Sequence, residues 1–121
     1  VQSALSTHHQ VTMTDPSSTS RTVPSIVLDE DLAARGFDGL IRVVKIDVEG
    51  HEVHVLHGCR ELVREGRIGC MLIEVFPGDH ARQVDEILRG WNVRAKVWLN
   101  GSWRDMPVSA IPYCTDIVVV F

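Results

Sequence analysis

The sequence predicts an α/β domain built around parallel strands, and three features predict it. Two short runs, Arg42 to Val48 and Cys70 to Phe76, are apolar, rich in β-branched residues and carry carboxylates toward their C-terminal ends. Each is followed by a segment with apolar residues at helical spacing. The runs are continuous rather than alternating, as in strands buried on both faces, so helices are expected on both sides of the sheet.

In chain order, Val1 to Ser6 reads as a short strand end, and His8 to Thr22 as a polar loop carrying Asp-Pro-Ser-Ser-Thr-Ser. Val11 and Met13 alternate with threonines, which suggests a weak hairpin with Thr22 to Leu28 as its returning strand. Asp29 suits an N-cap for a short helix, Glu30 to Arg35, with acids in its first turn and Gly36 just past its end. After a loop, Gly36 to Gly39, comes the central strand.

A helix from His51 to Glu65 is expected next, with Val55, Cys59 and Leu62 at i, i+4 and i+7, Leu56 and Val63 alongside, and Gly66 closing it. Pro77-Gly78 stops the second strand. Asp79 can cap a helix with Ala81, Val84, Ile87, Leu88 and Trp91 on one face, ended by Gly90 and Asn92. Asn100-Gly101 between Ala95–Leu99 and Ser102–Met106 signals a hairpin, because both residues accept the positive φ of a type I′ turn. Thr115 to Phe121 is a last apolar strand.

With 121 residues, 45% of them hydrophobic and 23% charged, the chain has material for one modest core. A net charge of −4 gives no electrostatic footprint for nucleic acid or for an anionic membrane surface. Three widely spaced cysteines, Cys59, Cys70 and Cys114, without a C-x-x-C, argue against a disulfide framework or a zinc ribbon and fit a reducing, cytoplasmic setting. No apolar stretch approaches the roughly 18 residues of a membrane span, and the N-terminus has no signal-peptide pattern. A chain starting at Val1 rather than Met is read as one that extends upstream in the natural protein.

The segment Val43 to Gly50 is the one most like a site. Ligands of open α/β sheets collect beyond the carboxyl ends of the strands. Asp47 and Glu49, at i and i+2 of a strand, would face the same way there, and Gly50 would let the chain turn. Glu74 would join them from the neighbouring strand end. A competing role for Glu49 is to stabilise the following helix from its N-terminus. His51, in the first turn after Gly50, faces the same crevice and can act as acid or base near neutral pH.

His51, His54 and His57 step by three and so drift around a helix. Position 55 is Val, so the i, i+4 pair of a zinc protease motif is missing. No metal is assigned, and a metal-dependent hydrolase built on this helix is the weakest of three functional readings. Trp91 and Cys59 read as core. Trp98 and Trp103 flank the hairpin turn, where the core reading outweighs a part in an acceptor-binding surface.

The stretches Val23-Pro-Ser-Ile-Val-Leu-Asp-Glu-Asp-Leu32, Val44-Lys-Ile-Asp-Val-Glu-Gly-His-Glu-Val-His-Val-Leu-His-Gly58 and Ile73-Glu-Val75 resemble the FkbM-type family of S-adenosylmethionine-dependent methyltransferases. The resemblance implies a Rossmann-like class I methyltransferase sheet, doubly wound, with an antiparallel last strand. It implies S-adenosyl-L-methionine as cofactor, with Ala4, Leu5 and Ser6 ending a third strand beside the adenine. Asp47 would lie near the reacting centre and help hold the cofactor or acceptor, sharing acid and base work with Glu49 and His51, while Glu49 and Glu74 line the acceptor side.

The family's glycine motif and the ribose-binding acid of its second strand are not found here, and Thr7 stands where an Asp is frequent. Residues 1–121 therefore read as the C-terminal part of a methyltransferase domain, with the first two strands and helices absent. Residues 1–40 would hold the third strand, loop and connector helix, and 41–121 the strand-helix-strand-helix unit and terminal strands. The expected activity of the complete form is O-methylation of a small molecule or sugar hydroxyl, the piece alone being inactive. The second reading is a non-catalytic half-domain that binds or assembles through an unpaired sheet edge, as a homo-oligomer or with another chain. Such an edge predicts poor stability or self-association, against which a cooperative melt of a clean monomer would count.

Overall fold

A computed structural model of the chain describes residues 22–121. The strand end expected at Val1 to Ser6, the loop and hairpin around Val11 and Met13, and the residues Ala4, Leu5 and Ser6 lie outside that range. The elements are α1 (Leu28–Ala34), β1 (Ile41–Ile46), α2 (Glu52–His57), α3 (Arg60–Arg64), β2 (Ile68–Val75), α4 (Asp79–Gly90), β3 (Ala95–Leu99), β4 (Ser102–Asp105), a 3-10 turn Val108–Ala110, and β5 (Thr115–Val120).

One five-stranded sheet has the order β1-β2-β5-β3-β4. β1 and β2 are parallel, as expected of strands joined through helices, while β5 runs antiparallel between β2 and β3. The fold is mixed α/β, and most strand pairings are antiparallel because the Asn100-Gly101 hairpin and the inserted β5 supply three of the four. Asn100 and Gly101 have φ of 50° and 80°, the pair that a type I′ turn requires. β1 and β2 approach closely at Gly69, where an added Cβ would stand 2.9 Å from the Arg42 carbonyl oxygen.

A single core forms on one face of the sheet. Ile46, Met71, Ile73, Val75, Ile117, Val119 and Val97 meet Leu56, Cys59, Leu62, Ala81, Val84 and Leu88 from the helices. Partners in register on the opposite face, Cys70 with Val120, Leu72 with Val118 and Glu74 with Asp116, are half-buried or exposed. Helices on both sides were expected; among the described residues the helices bury their apolar side chains in this one core, so the apolar runs did not report two covered faces.

The expected helix His51 to Glu65 is two helices. The break falls at Gly58-Cys59, where Cys59 N–H bonds three residues back to Leu56 in a tightened turn. The break frees the N-terminus of α3, and Asp29 takes it: its carboxylate accepts from Glu61 N–H at 2.9 Å and Leu62 N–H at 3.1 Å. Asp29 thus caps α3 from a distance and not its own helix, which begins after Val27 without a side-chain cap. Asp29→Ala is expected to cost about 2 kcal/mol, read as a lower urea midpoint at unchanged slope.

Three further boundaries differ. Thr22 to Val27 forms no strand, Val23 and Ile26 being exposed without a ladder partner. Asp79 lies inside the first turn of α4 after the N-cap Gly78 and pairs with Arg82 instead of capping. The central strand ends at Ile46, so Asp47 and Glu49 fall beyond it. Among the described residues no helix is long and apolar enough to cross a membrane.

Candidate functional site

Beyond Ile46 the chain turns sharply. Glu49 and Gly50 both take positive φ, 53° and 96°, and His51 N–H closes the turn on the Val48 carbonyl at 3.3 Å. Asp47 and Glu49 are therefore not same-facing residues of a strand. The turn brings them together all the same: carboxylate oxygens of Asp47, Glu49 and Glu74 lie within 4.8 Å of one another. Two carboxylates come from the turn after β1 and one from the last part of β2, at the carboxyl ends of the two parallel strands. That is where an open α/β sheet presents its ligand crevice.

Positive φ is strained for a glutamate, at a cost of about 1–2 kcal/mol that glycine avoids. Glu49→Gly is expected to gain about 0.5–1 kcal/mol in chemical denaturation after glycine's greater unfolded-state freedom is offset. The same change removes one of the three acids.

Like charges crowd this mouth. Partial burial, then Asp47, Glu49 and Asp116, raise the Glu74 carboxyl above its ordinary value. Lys45 answers in part, its ammonium 3.0 Å from Asp47, and that hydrogen bond raises the lysine. Asp116 sits opposite Glu74 across the β2–β5 ladder. One step beyond the Val97–Ile117 pair, Trp98 follows on β3, and Trp103 faces it from β4. The two indoles meet edge to face at 5.1 Å with 40% and 42% exposure, so neither is core, contrary to expectation. Carboxylates and aromatics thus form a row across one sheet edge.

His51 is exposed and tilted against His54 at a ring distance of 5.8 Å. Among the described residues, the only His, Cys, Asp and Glu side chains that converge closely enough for a metal are the three acids, a set suited to a hard cation. The histidines do not join them. Cys59 is fully buried, as expected, and its thiol is pushed up to about 11 by burial. Trp91 packs at the core margin against Phe121, ring centres 6.2 Å apart.

Two residues not singled out from sequence lie behind the turn. Glu52 is completely buried and accepts from Val48 N–H at 3.0 Å and Gly50 N–H at 3.3 Å. His80 lies with Nε2 2.8 Å from the other Glu52 oxygen. The sequence signal was the final glutamate of the Asp-Val-Glu-Gly-His-Glu stretch, an acid on the inward side of an apolar helix. A cleft of about 590 Å³, lined by Leu88, Val93, Met106 and Val108 together with Asp85 and Arg89, opens at the other end of the sheet and contains no candidate residue.

The three acids thus gather at the carboxyl ends of adjacent parallel strands, the position at which ligands of open α/β sheets collect. The family model of the methyltransferase FkbM domain matches residues 1–94, and the chain belongs to that family. Methyl transfer is accordingly its class of activity. The matched part carries all three acids, Glu52 and His80; β3, β4 and β5 lie beyond it. No curated protein and no solved structure matches the chain.

Proposed function

We propose that this domain serves an S-adenosylmethionine-dependent methyltransferase acting on a hydroxyl of a small molecule or sugar, with Asp47, Glu49 and Glu74 as its working acids. The single observation that carries the reading is the convergence of those three carboxylates within 4.8 Å at neighbouring strand ends. The donor set fits the group: carboxylates suit a cationic sulfonium, an ammonium and ribose hydroxyls. The cofactor supplies an activated methyl group when bound.

The chain's own residues orient and deprotonate. Asp47, steadied by Lys45, holds the cationic partner in line with the acceptor. Glu74, with its raised carboxyl, is placed to take the acceptor hydroxyl's proton, the task for which a carboxylate is tuned upward. His51 is a second candidate base on the exposed side of the turn. Trp98 and Trp103 offer an aromatic wall for the acceptor. The order β1-β2-β5-β3 is compatible with one part of a Rossmann-like, doubly wound sheet, and Ala4, Leu5 and Ser6 remain the candidates beside the adenine.

The test is incubation of the natural full-length protein with methyl-labelled S-adenosylmethionine and a panel of hydroxylated acceptors. Label in an acceptor, with S-adenosylhomocysteine released in equal amount, is the expected result. Label only in amines, or none with any acceptor, contradicts it.

A specific observation favours the assembly reading as well. β1 is an edge strand among the described residues, with Val43 61% and Leu40 60% exposed. An exposed apolar edge is a template for pairing with another strand, from this chain or a partner. Sedimentation of the chain at rising concentration is expected to show association that Val43→Lys weakens; a monomer at every concentration counts against it.

A further inference from the structure

We propose that Glu52 and His80 are positioning residues, a buried brace that ties the turn after β1 to the end of β2 and so holds Asp47, Glu49 and Glu74 in one mouth. The inference rests on reading those acids as the working site of methyl transfer.

The β1–β2 ladder ends at the Ile46–Ile73 pair, so the backbone pairing stops just short of the acids. Three carboxylates left to themselves would spread the two strand ends, since like charges at this spacing repel. Contacts through side chains bridge the gap. Glu52, on the first turn of α2, takes the N–H groups of Val48 and Gly50 on one oxygen. His80, on the first turn of α4, accepts Phe76 N–H at Nδ1, 3.1 Å away. An accepting Nδ1 leaves the proton on Nε2, which faces the second Glu52 oxygen at 2.8 Å.

The path therefore runs from Gly50 through Glu52 and His80 to Phe76, from one strand-end loop to the other. The Phe76 ring adds an edge contact on His80, centres 5.8 Å apart. The Glu52–His80 contact is of ion-pair length but off hydrogen-bond alignment, and among the described residues neither facing atom has another partner. Each completes the other's link, so loss of either residue uncouples the two loops. Buried pairs of this kind seldom add stability over apolar packing, so fixing a geometry is the better account of this one.

The readout is the pH titration of the Glu74 carboxyl, followed by carbon NMR in the full chain. Glu74 is faced by Asp47 and Glu49 from the turn, Asp116 from β5, Glu52 from α2, Lys45 from β1, and the Cys114 thiol before β5. His80→Phe keeps the ring and removes no negative charge. The expected result is a Glu74 titration moved down toward the ordinary glutamate range as the acids separate. Leu88→Ala, buried two turns further along the same helix, is expected to cost stability and leave Glu74 unmoved. If His80→Phe does not fold, His80→Gln, which can keep one contact, is expected to give a smaller shift of the same sign. An unmoved Glu74 in a folded His80 variant, or an equal shift in Leu88→Ala, overturns the brace. Failure to bind S-adenosylmethionine would overturn the proposed activity and leave this titration standing.

Discussion

Glu52→Ala is expected to lower stability by about 3–5 kcal/mol, a large part of the roughly 5–15 kcal/mol that holds a domain of this kind folded. The substitution leaves two backbone N–H groups of the turn and one histidine nitrogen without partners inside the protein, and it opens a void behind the mouth. The measurement is the urea midpoint at pH 7, with Glu52→Gln expected to lose less because its amide oxygen can still accept from Val48 and Gly50.

The pH dependence has a definite sign. Burial pushes the Glu52 carboxyl up, but the backbone N–H groups of Glu52 itself, Val48 and Gly50 outweigh it and hold the group below the ordinary 4.5. A depressed folded value means stability that is fully present above the unfolded pKa and lost as pH falls through the folded one. The gap between parent and Glu52→Gln should therefore narrow only below about pH 4.5. Glu74 has the opposite sign: its raised carboxyl costs stability near neutral pH, and protonation lifts that cost on the way down.

Asp47→Asn in the full-length enzyme is expected to cut methyl transfer by about 10²–10⁴-fold while leaving the melting profile nearly unchanged. The side chain is exposed and its one cationic contact among the described residues, Lys45, is a surface pair worth little to stability. What the substitution removes is a negative charge beside the place assigned to a cationic methyl donor. Unimpaired turnover with Asp47→Asn would take this residue out of the site.

Much of this arrangement was legible in the residues themselves. The runs Arg42 to Val48 and Cys70 to Phe76 located both parallel strands because β-branched apolar segments of that length have few alternatives, and Asn100-Gly101 fixed a hairpin by backbone chemistry alone. The acids do come together, but by another geometry: strand alternation was expected to align Asp47 with Glu49, whereas a left-handed Glu49 brings them close after the strand has ended.

Asp29 was recognised as a cap but assigned to its own helix, since its true partners lie more than thirty positions on. Local pattern carries no information at that range. The same limit hid the brace: Glu52 is an ordinary first-turn acid and His80 an ordinary polar residue until the fold sets them 2.8 Å apart. Trp98 and Trp103 were expected in the core on hydrophobicity, but alternation along β3 buries Ala95, Val97 and Leu99 and sends Trp98 outward.

The most direct test of the strand-end site is an NMR titration of isotopically labelled full-length protein with S-adenosylmethionine. Saturable amide shifts concentrated at Asp47 to His51 and Glu74 to Gly78, and lost in Asp47→Asn, are the expected result. Shifts confined to the cleft beside Leu88 and Val108, or none at any concentration, would contradict a methyl-donor site at these strand ends.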